Sequence, residues 1–306
     1  MKVIFDPEQP IDNATSATIG NFDGVHVGHK KILSAVKETA GEKGLSSCVI
    51  TFHPHPQKVL RNIDIPLLMP IRERLRLLER EGIDFVACYT FTQDISKITA
   101  KDFISEILVG KLRVRHLIIG PDFSFGRKRE GNAELLQTMG KACDFETSVI
   151  GPVFIDNELV SSTAIRNLLK AGDAKKAARF LGYNYYIEGE VTEGEKRGRQ
   201  IGYPTANLNT DWEMLPKTGV YATRASFDDK KLDSITNIGY RPTFGSSRLL
   251  IETHIFDFNS DIYRKRLRIE FVERIRDEKR FESVDALVAG IRLDVEKVKD
   301  ILKNTK

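Results

Sequence analysis

Cysteine is scarce in this chain. It occurs only as Cys48, Cys88 and Cys143, far apart and never as C-x-x-C. Cys48 and Cys88 sit inside apolar runs and read as small buried hydrophobes in a reducing setting. Long apolar runs are missing as well. No stretch reaches the roughly 18 apolar residues of a membrane span, and the start, MKVIFDPEQP, lacks the apolar core of a secretory leader. Membrane spanning and secretion are therefore not expected, and the expected location is cytoplasmic. Charge excess is small, +4 over 306 residues. That permits anionic small-molecule substrates but leaves no footprint for nucleic acid or a membrane surface. Internal repeats and low-complexity linkers are absent too. What remains, 41% hydrophobic and 29% charged residues, is ordinary globular composition in a length sufficient for two domains.

The first half alternates strand-like and helix-like patterns. Strands are predicted at 17–19, 47–52, 85–90, 117–119 and 147–150, with helices near 28–40, 71–81, 100–109 and 132–140. Thr99 is placed as the N-cap and Gly110 as the stop of the third helix. Alternation of this kind predicts an α/β domain with a parallel, doubly wound sheet and ligands at the C-terminal ends of its strands. A helix headed by Ser161-Ser162-Thr163-Ala164-Ile165-Arg166 ends near Gly172, and Asp173 caps another that ends at Gly182. The character then changes. β-like runs at 185–192, 219–227, 232–238, 249–258 and 267–275 follow without helices between them, which predicts a small antiparallel barrel or sandwich. A closing helix carries Val284, Leu287, Val288, Ile291, Val295, Val298 and Leu302 as one stripe, expected to pack on that barrel. The boundary falls within 182–186, giving domains 1–183 and 184–306.

Chemistry concentrates first in Gly20-Asn21-Phe22-Asp23-Gly24-Val25-His26-Val27-Gly28-His29, a glycine-rich turn between a predicted strand and a helix. Glycines let the backbone approach a ligand, the helix N-terminus aims N–H groups at it, and two histidines three apart can face one side. That combination suits a polyphosphate. Arg166 near a helix start is unfavourable unless an anion compensates it. It reads as a second phosphate clamp, with Ser162 and Thr163 read either as helix caps or as its partners.

The motifs GNFDGVHVGH, FHPHP, GPDFSFG and SSTAIR resemble the adenylyltransferase half of the bifunctional bacterial riboflavin kinase/FAD synthetase family. GRQIGYPTANL, PKTGVYA, NIGYRPTFG, IETHIFDF and FVERIRDEKRFES resemble its riboflavin kinase half, and the resemblance covers nearly the whole chain in the family's order. It implies a Rossmann-like nucleotidyltransferase domain followed by an antiparallel β-barrel with a C-terminal helix. It implies two reactions: riboflavin plus ATP giving FMN and ADP, then FMN plus ATP giving FAD and pyrophosphate. The expected chain is an ATP-binding flavoprotein that uses Mg²⁺, with small-molecule partners and a homo-oligomeric state left open.

By the same resemblance, Gly20, Phe22, Asp23, Gly24, His26, His29, Ser162, Thr163 and Arg166 form the ATP site of adenylyl transfer, with His26, His29 and Arg166 catalytic. FMN's phosphate, with a second pKa of about 6, needs alignment and charge stabilisation more than a base. Phe52, Pro54, Pro56, Asp122, Phe123 and Phe125 are implied around the flavin, with ordinary core packing the other reading of the phenylalanines. His53 and His55 lack a third ligand of matching type nearby, so no metal is expected there. In the kinase half, Glu252 is implied as the base that takes a proton from a neutral ribityl hydroxyl, with an exposed strand face as the bland reading. Thr205 and Asn207 are implied as oxygen donors to Mg²⁺ and phosphate, a turn being the alternative. Gly194, Gly198 and Gly202 are expected in a phosphate-covering loop, and Arg276 on the flavin side. Lys196, Arg197 and Arg199 read as a solvated charge run. One departure stands out: relatives read D-x-Y-G where this chain has Asp261-Ile262-Tyr263-Arg264, which puts that turn's shape in question.

Two other readings compete. One is a nucleotidyltransferase for a different acceptor, which the H-x-G-H stretch alone would allow. The other is a non-catalytic flavin- or nucleotide-binding regulator, against which stand His29, Arg166, Thr205, Asn207 and Glu252.

Overall fold

The computed structural model describes residues 1–61, 63–194, 197–243 and 246–305. Lys196 lies outside these residues. The chain forms two compact units, Met1–Ser161 and Ser162–Lys306.

The first unit contains β1 (Lys2–Phe5), β2 (Thr15–Ile19), α1 (Val27–Lys43), β3 (Ser46–His53), α2 (Pro56–Arg61), α3 (Ile71–Arg80) and β4 (Phe85–Thr90). It continues through α4 (Ala100–Asp102), a π-helical stretch Phe103–Lys111, β5 (Val114–Ile119), α5 (Ala133–Cys143), β6 (Glu146–Val149) and a small hairpin of β7 (Phe154–Ile155) and β8 (Glu158–Leu159). The sheet runs β1-β4-β3-β2-β5-β6, every pairing parallel. Period-two alternation distributes its side chains to two cores. Ala17, Ile19, Cys48 and Ile50 pack with Phe103, Leu108 and Leu112, whereas Val49, Val86 and Cys88 pack with Leu33 and Leu78. Strands buried on both faces explain why these runs read as continuously apolar. Burial also pushes the Cys48 and Cys88 thiols up, as expected of structural cysteines.

Local signals account for the helices. α1 buries Leu33, Val36 and Ala40 and ends at Gly44 in the left-handed region, running through Gly41. Thr99 caps α4 by accepting from the Asp102 N–H. Gly110 does not stop that helix: buried Phe103, Ile104, Ile107 and Leu108 hold it to Lys111, where the Leu112 N–H bonds the Ile107 carbonyl at 2.9 Å. Core burial thus outweighs the roughly 1 kcal/mol helix penalty of glycine.

The second unit begins with α6 (Ser162–Ala171) and α7 (Ala174–Leu181), the latter capped by Asp173 and ended by Gly182. β9 (Tyr186–Thr192), α8 (Arg197–Gln200), β10 (Ala206–Asn209), β11 (Gly219–Phe227), β12 (Lys230–Thr243), β13 (Ser246–Ile255), β14 (Arg266–Arg276) and α9 (Val284–Lys303) follow. The six strands close as an antiparallel barrel in the order β10-β13-β12-β11-β14-β9. Its fully buried hydroxyls form a chain: Thr223 reaches Ser234 and Thr236 at 2.8 Å each, and Thr236 reaches Thr253 at 2.9 Å. Each hydroxyl can donate once and accept, so the chain satisfies polar groups inside the barrel.

α9 divides its apolar stripe. Val298 and Leu302 pack on Val220, Ala222, Ile235, Phe256 and Val272 of the barrel. Leu287 and Ile291 instead line a cavity, and Val284, 62% exposed, belongs to neither. Periodicity shows a stripe but not whether protein or ligand covers it.

Candidate active sites

In the first unit, β2 delivers the chain into the turn before α1. Phe22, Gly24 and Val25 all have positive φ, 50°, 88° and 37°. Such a cluster costs little at glycine and strains a β-branched valine, so surrounding contacts must hold it. They do. Phe22 is 2% exposed within the Leu33–Leu78 core, and the buried Asp23 carboxylate accepts from the Leu68 N–H at 3.0 Å. The Phe22 and Asp23 side chains therefore shape the turn from behind. Gly20 donates its N–H to the Ile50 carbonyl at 3.0 Å.

His26 caps α1: its Nδ1 accepts from the His29 N–H at 3.3 Å. The two imidazoles stack with centroids 3.6 Å apart, and Phe22 lies 4.9 Å from His29. Among the described residues, His29 Nδ1 is sealed from solvent with no hydrogen-bond partner. Burial, then the neighbouring His26 and Arg74, hold the His29 pKa well below 6.5.

Arg74 is the residue that sequence reading missed. It is 3% exposed on α3 and donates to the carbonyls of Asn21 and, at 3.1 Å, Phe52. One guanidinium thus ties the glycine-rich turn to the FHPHP loop. Burial lowers its pKa while Asp23 opposes that shift. The available signal was a charged pair, Glu73-Arg74, on the face of α3 that also buries Leu78.

On the FHPHP loop, Phe52 is half-buried, Pro54 exposed and Pro56 the half-buried first residue of α2. His55 is buried, its Nδ1 accepting from the Gln57 N–H at 3.2 Å, and His53 is exposed. Asp122 is exposed, Phe123 half-buried, and Phe125 packs in the core 5.5 Å from Phe123 and 5.6 Å from Phe103.

In the second unit, Ser162 and Thr163 are the first two residues of α6 rather than its cap, and Arg166 is 9% exposed. Arg166 is the fifth helical residue. It lies past the first turn, where the helix dipole acts most strongly, so the dipole argument for a compensating anion is weaker than the sequence reading held.

The barrel carries a cavity of about 820 Å³ on its outer face. Gly198, Thr205, Asn207, Glu252 and Arg276 all line it, and Gly202, at φ 85°, does not. Asn207 belongs to β10, a short strand that PTAN conceals as a turn. Glu252 alternates with buried Ile251 and Thr253, so it faces outward into the cavity. At Gly198 a Cβ would collide with the Tyr203 backbone carbonyl, so that position requires glycine, whereas at Gly194 it would meet the end of the Asn207 side chain, which would have to shift. Arg276 is fixed by Asp294 of α9, which accepts from its Nε at 3.0 and 2.9 Å and from Nη2 at 2.6 Å. Neither Asp294 nor the cavity-lining Asn237 was singled out from sequence.

A parallel α/β unit with a glycine-rich turn ahead of a helix, and a six-stranded barrel with a cavity lined by both polar and apolar side chains, define a nucleotide-handling transferase of two parts. Family models described as FAD synthetase and riboflavin kinase match residues 8–164 and 181–302. The chain is 39% identical over 288 residues to the bifunctional riboflavin kinase/FMN adenylyltransferase of Pseudomonas fluorescens, covering 94% of this chain and 93% of that one. It is 36% identical to the enzyme of the same name from Bacillus subtilis strain 168, with 90% and 89% covered. A solved Streptococcus pneumoniae structure, described as a macrolide-efflux protein, superposes with a TM-score of 0.90 at 30% identity, covering 98% and 99% of the two chains. In this chain no described helix is long and apolar enough to cross a membrane. The chain belongs to the bifunctional riboflavin kinase/FMN adenylyltransferase family, and it is an enzyme with both activities.

Proposed function

We propose that riboflavin phosphorylation runs in the barrel cavity with Glu252 as base, and adenylyl transfer at the turn of residues 20–29. The observation that carries the kinase reading is that Gly198, Thr205, Asn207, Glu252 and Arg276, widely separated in sequence, line one cavity. In the first reaction the ribityl oxygen bonds to the γ-phosphorus as that phosphorus leaves the bridging oxygen. The hydroxyl proton passes to Glu252, and ADP departs. Thr205 and Asn207 offer hard neutral oxygens at the phosphate end, a donor set that fits Mg²⁺, which keeps few protein ligands beside phosphate oxygens. Mg²⁺ bound there neutralises phosphate charge. Arg276, held by Asp294, serves the flavin side.

In the second reaction an FMN phosphate oxygen bonds to the α-phosphorus and pyrophosphate leaves, with no proton to move. Gly20, Gly24 and the N–H groups before α1 cradle phosphates, His26 and His29 contact them, and Phe22 and Asp23 act through the shape of the turn. Arg166, with Ser162 and Thr163, is assigned phosphate-binding chemistry on α6, and Phe52, Pro54, Pro56, Asp122 and Phe123 border the flavin. On this reading residues 1–183 serve adenylyl transfer and 184–306 the kinase, in the cytoplasm, with small molecules as the partners.

Glu252→Gln tests the kinase assignment. Its riboflavin phosphorylation is expected to fall by about 10²–10⁴-fold, while added FMN is still converted to FAD. FMN formation near the wild-type rate would rule Glu252 out as the base.

A further inference from the structure

Strand register places the polar groups of the barrel cavity on one transverse row. Asn207 stands opposite Glu252, Glu252 opposite Asn237, Asn237 opposite Val220, and Val220 opposite Arg276. All five line the cavity. Directly opposed residues in antiparallel strands have Cβ atoms about 4.5–5.5 Å apart, so the row is a scale along the cavity. Glu252 has an amide on each side. Asn207 lies on the side of Thr205 and the proposed phosphate, whereas Asn237 leads to an apolar step and then to Arg276. Asn237 is half-buried, and no other described residue hydrogen-bonds its amide.

We infer that Asn237 contacts substrate and reads the secondary hydroxyls of the ribityl chain. The inference rests on the cavity being the kinase site with Glu252 as base. A hydroxyl that gives its proton to Glu252 and attacks a phosphate beside Asn207 fixes the direction of the polyol. Its remaining carbons must run away from the phosphate, and along the row that path crosses Asn237. Beyond it, Val220 and the neighbouring cavity-lining Ile235 offer apolar surface to a ring. An asparagine amide both donates and accepts, which matches an alcohol. A half-buried amide left unpaired is unfavourable, so a bound hydroxyl gains from meeting it. Asn237 would thus separate polyol-bearing flavins from flavins with a plain alkyl chain.

The test compares two substrates, riboflavin and a flavin whose side chain is 5-hydroxypentyl, which keeps the terminal hydroxyl and lacks the secondary ones. Wild type is expected to prefer riboflavin in kcat/KM. Asn237→Ala is expected to cut that preference about tenfold, mainly through KM for riboflavin, and Asn237→Ser to recover part of it. An unchanged preference in Asn237→Ala overturns the inference. Should Asn237→Ala lose its folded circular-dichroism signature, the same ratio in Asn237→Ser decides: a reduced preference supports the role and a wild-type preference removes it. Glu252→Gln in parallel separates the two failures. If that variant phosphorylates riboflavin normally, the underlying site reading is wrong. If it is inactive while the Asn237 preference is unchanged, only the role of Asn237 is wrong.

Discussion

His29 shows how one side chain records its surroundings. Its Nδ1 is sealed without a partner among the described residues, and its pKa lies well below 6.5 through burial and then the neighbouring His26 and Arg74. In the folded chain it is therefore neutral where an unfolded histidine would already be charged. Between the lowered pKa and 6.5 the unfolded state binds more protons, so stability falls as pH drops through that window. The urea midpoint of unfolding is expected to decrease from about pH 7.5 to about pH 5.5, and His29→Gln to make that decrease smaller. An equal decrease in both proteins would assign the acid sensitivity to other groups. Arg74 teaches a related lesson. On α3 it reads from sequence as one charge among many, and only the fold shows its guanidinium bonded to two loop carbonyls.

Among the elements, β4 is legible because its continuous apolar run, Phe85–Thr90, is buried between two layers. The caps Thr99 and Asp173 are legible because capping chemistry is local. β1 and β10 were not. Both are four-residue strands whose pairing comes from distant partners, Phe85–Cys88 for β1 and Glu252–Thr253 for the start of β10. The site followed the same division. Motif residues such as Glu252 could be named from sequence, but Asn237 and Asp294 gain meaning only from strand register and from helix α9 meeting Arg276. The turn at Asp261–Arg264 places an arginine in the left-handed region that favours glycine. Arg264 is at φ 64°, its N–H donates to the Val191 carbonyl at 2.9 Å, and Asp261 accepts from the Tyr263 N–H at 2.8 Å. The ladder thus holds an arginine in a conformation that costs a non-glycine residue about 1–2 kcal/mol. Arg264→Gly is expected to stabilise the chain by about 1 kcal/mol in urea unfolding, part of the relief being offset by glycine's unfolded-state entropy. A destabilised variant would mean that the exposed arginine side chain contributes more than the backbone strain costs.

Taken whole, the chain joins two transferases that need different chemistry. Phosphorylating a neutral hydroxyl calls for a carboxylate, and the barrel cavity has Glu252. Joining two phosphates calls for donors and alignment, and the parallel unit has a glycine-rich turn with stacked histidines. Contacts divide the chain after Ser161, whereas the proposed functional boundary assigns residues 162–183 to adenylyl transfer. α6 is nevertheless tied to the second unit, with the Lys217 N–H bonded to the Leu169 carbonyl at 2.9 Å. The central claim is that each reaction has its own residues. The most direct measurement is the flavin profile, resolved by chromatography, when purified wild type and His29→Ala are each incubated with riboflavin, ATP and Mg²⁺. Wild type is expected to form FMN and then FAD, and His29→Ala to accumulate FMN with little FAD. FAD formed by His29→Ala at the wild-type rate, or loss of FMN and FAD together, would contradict the account.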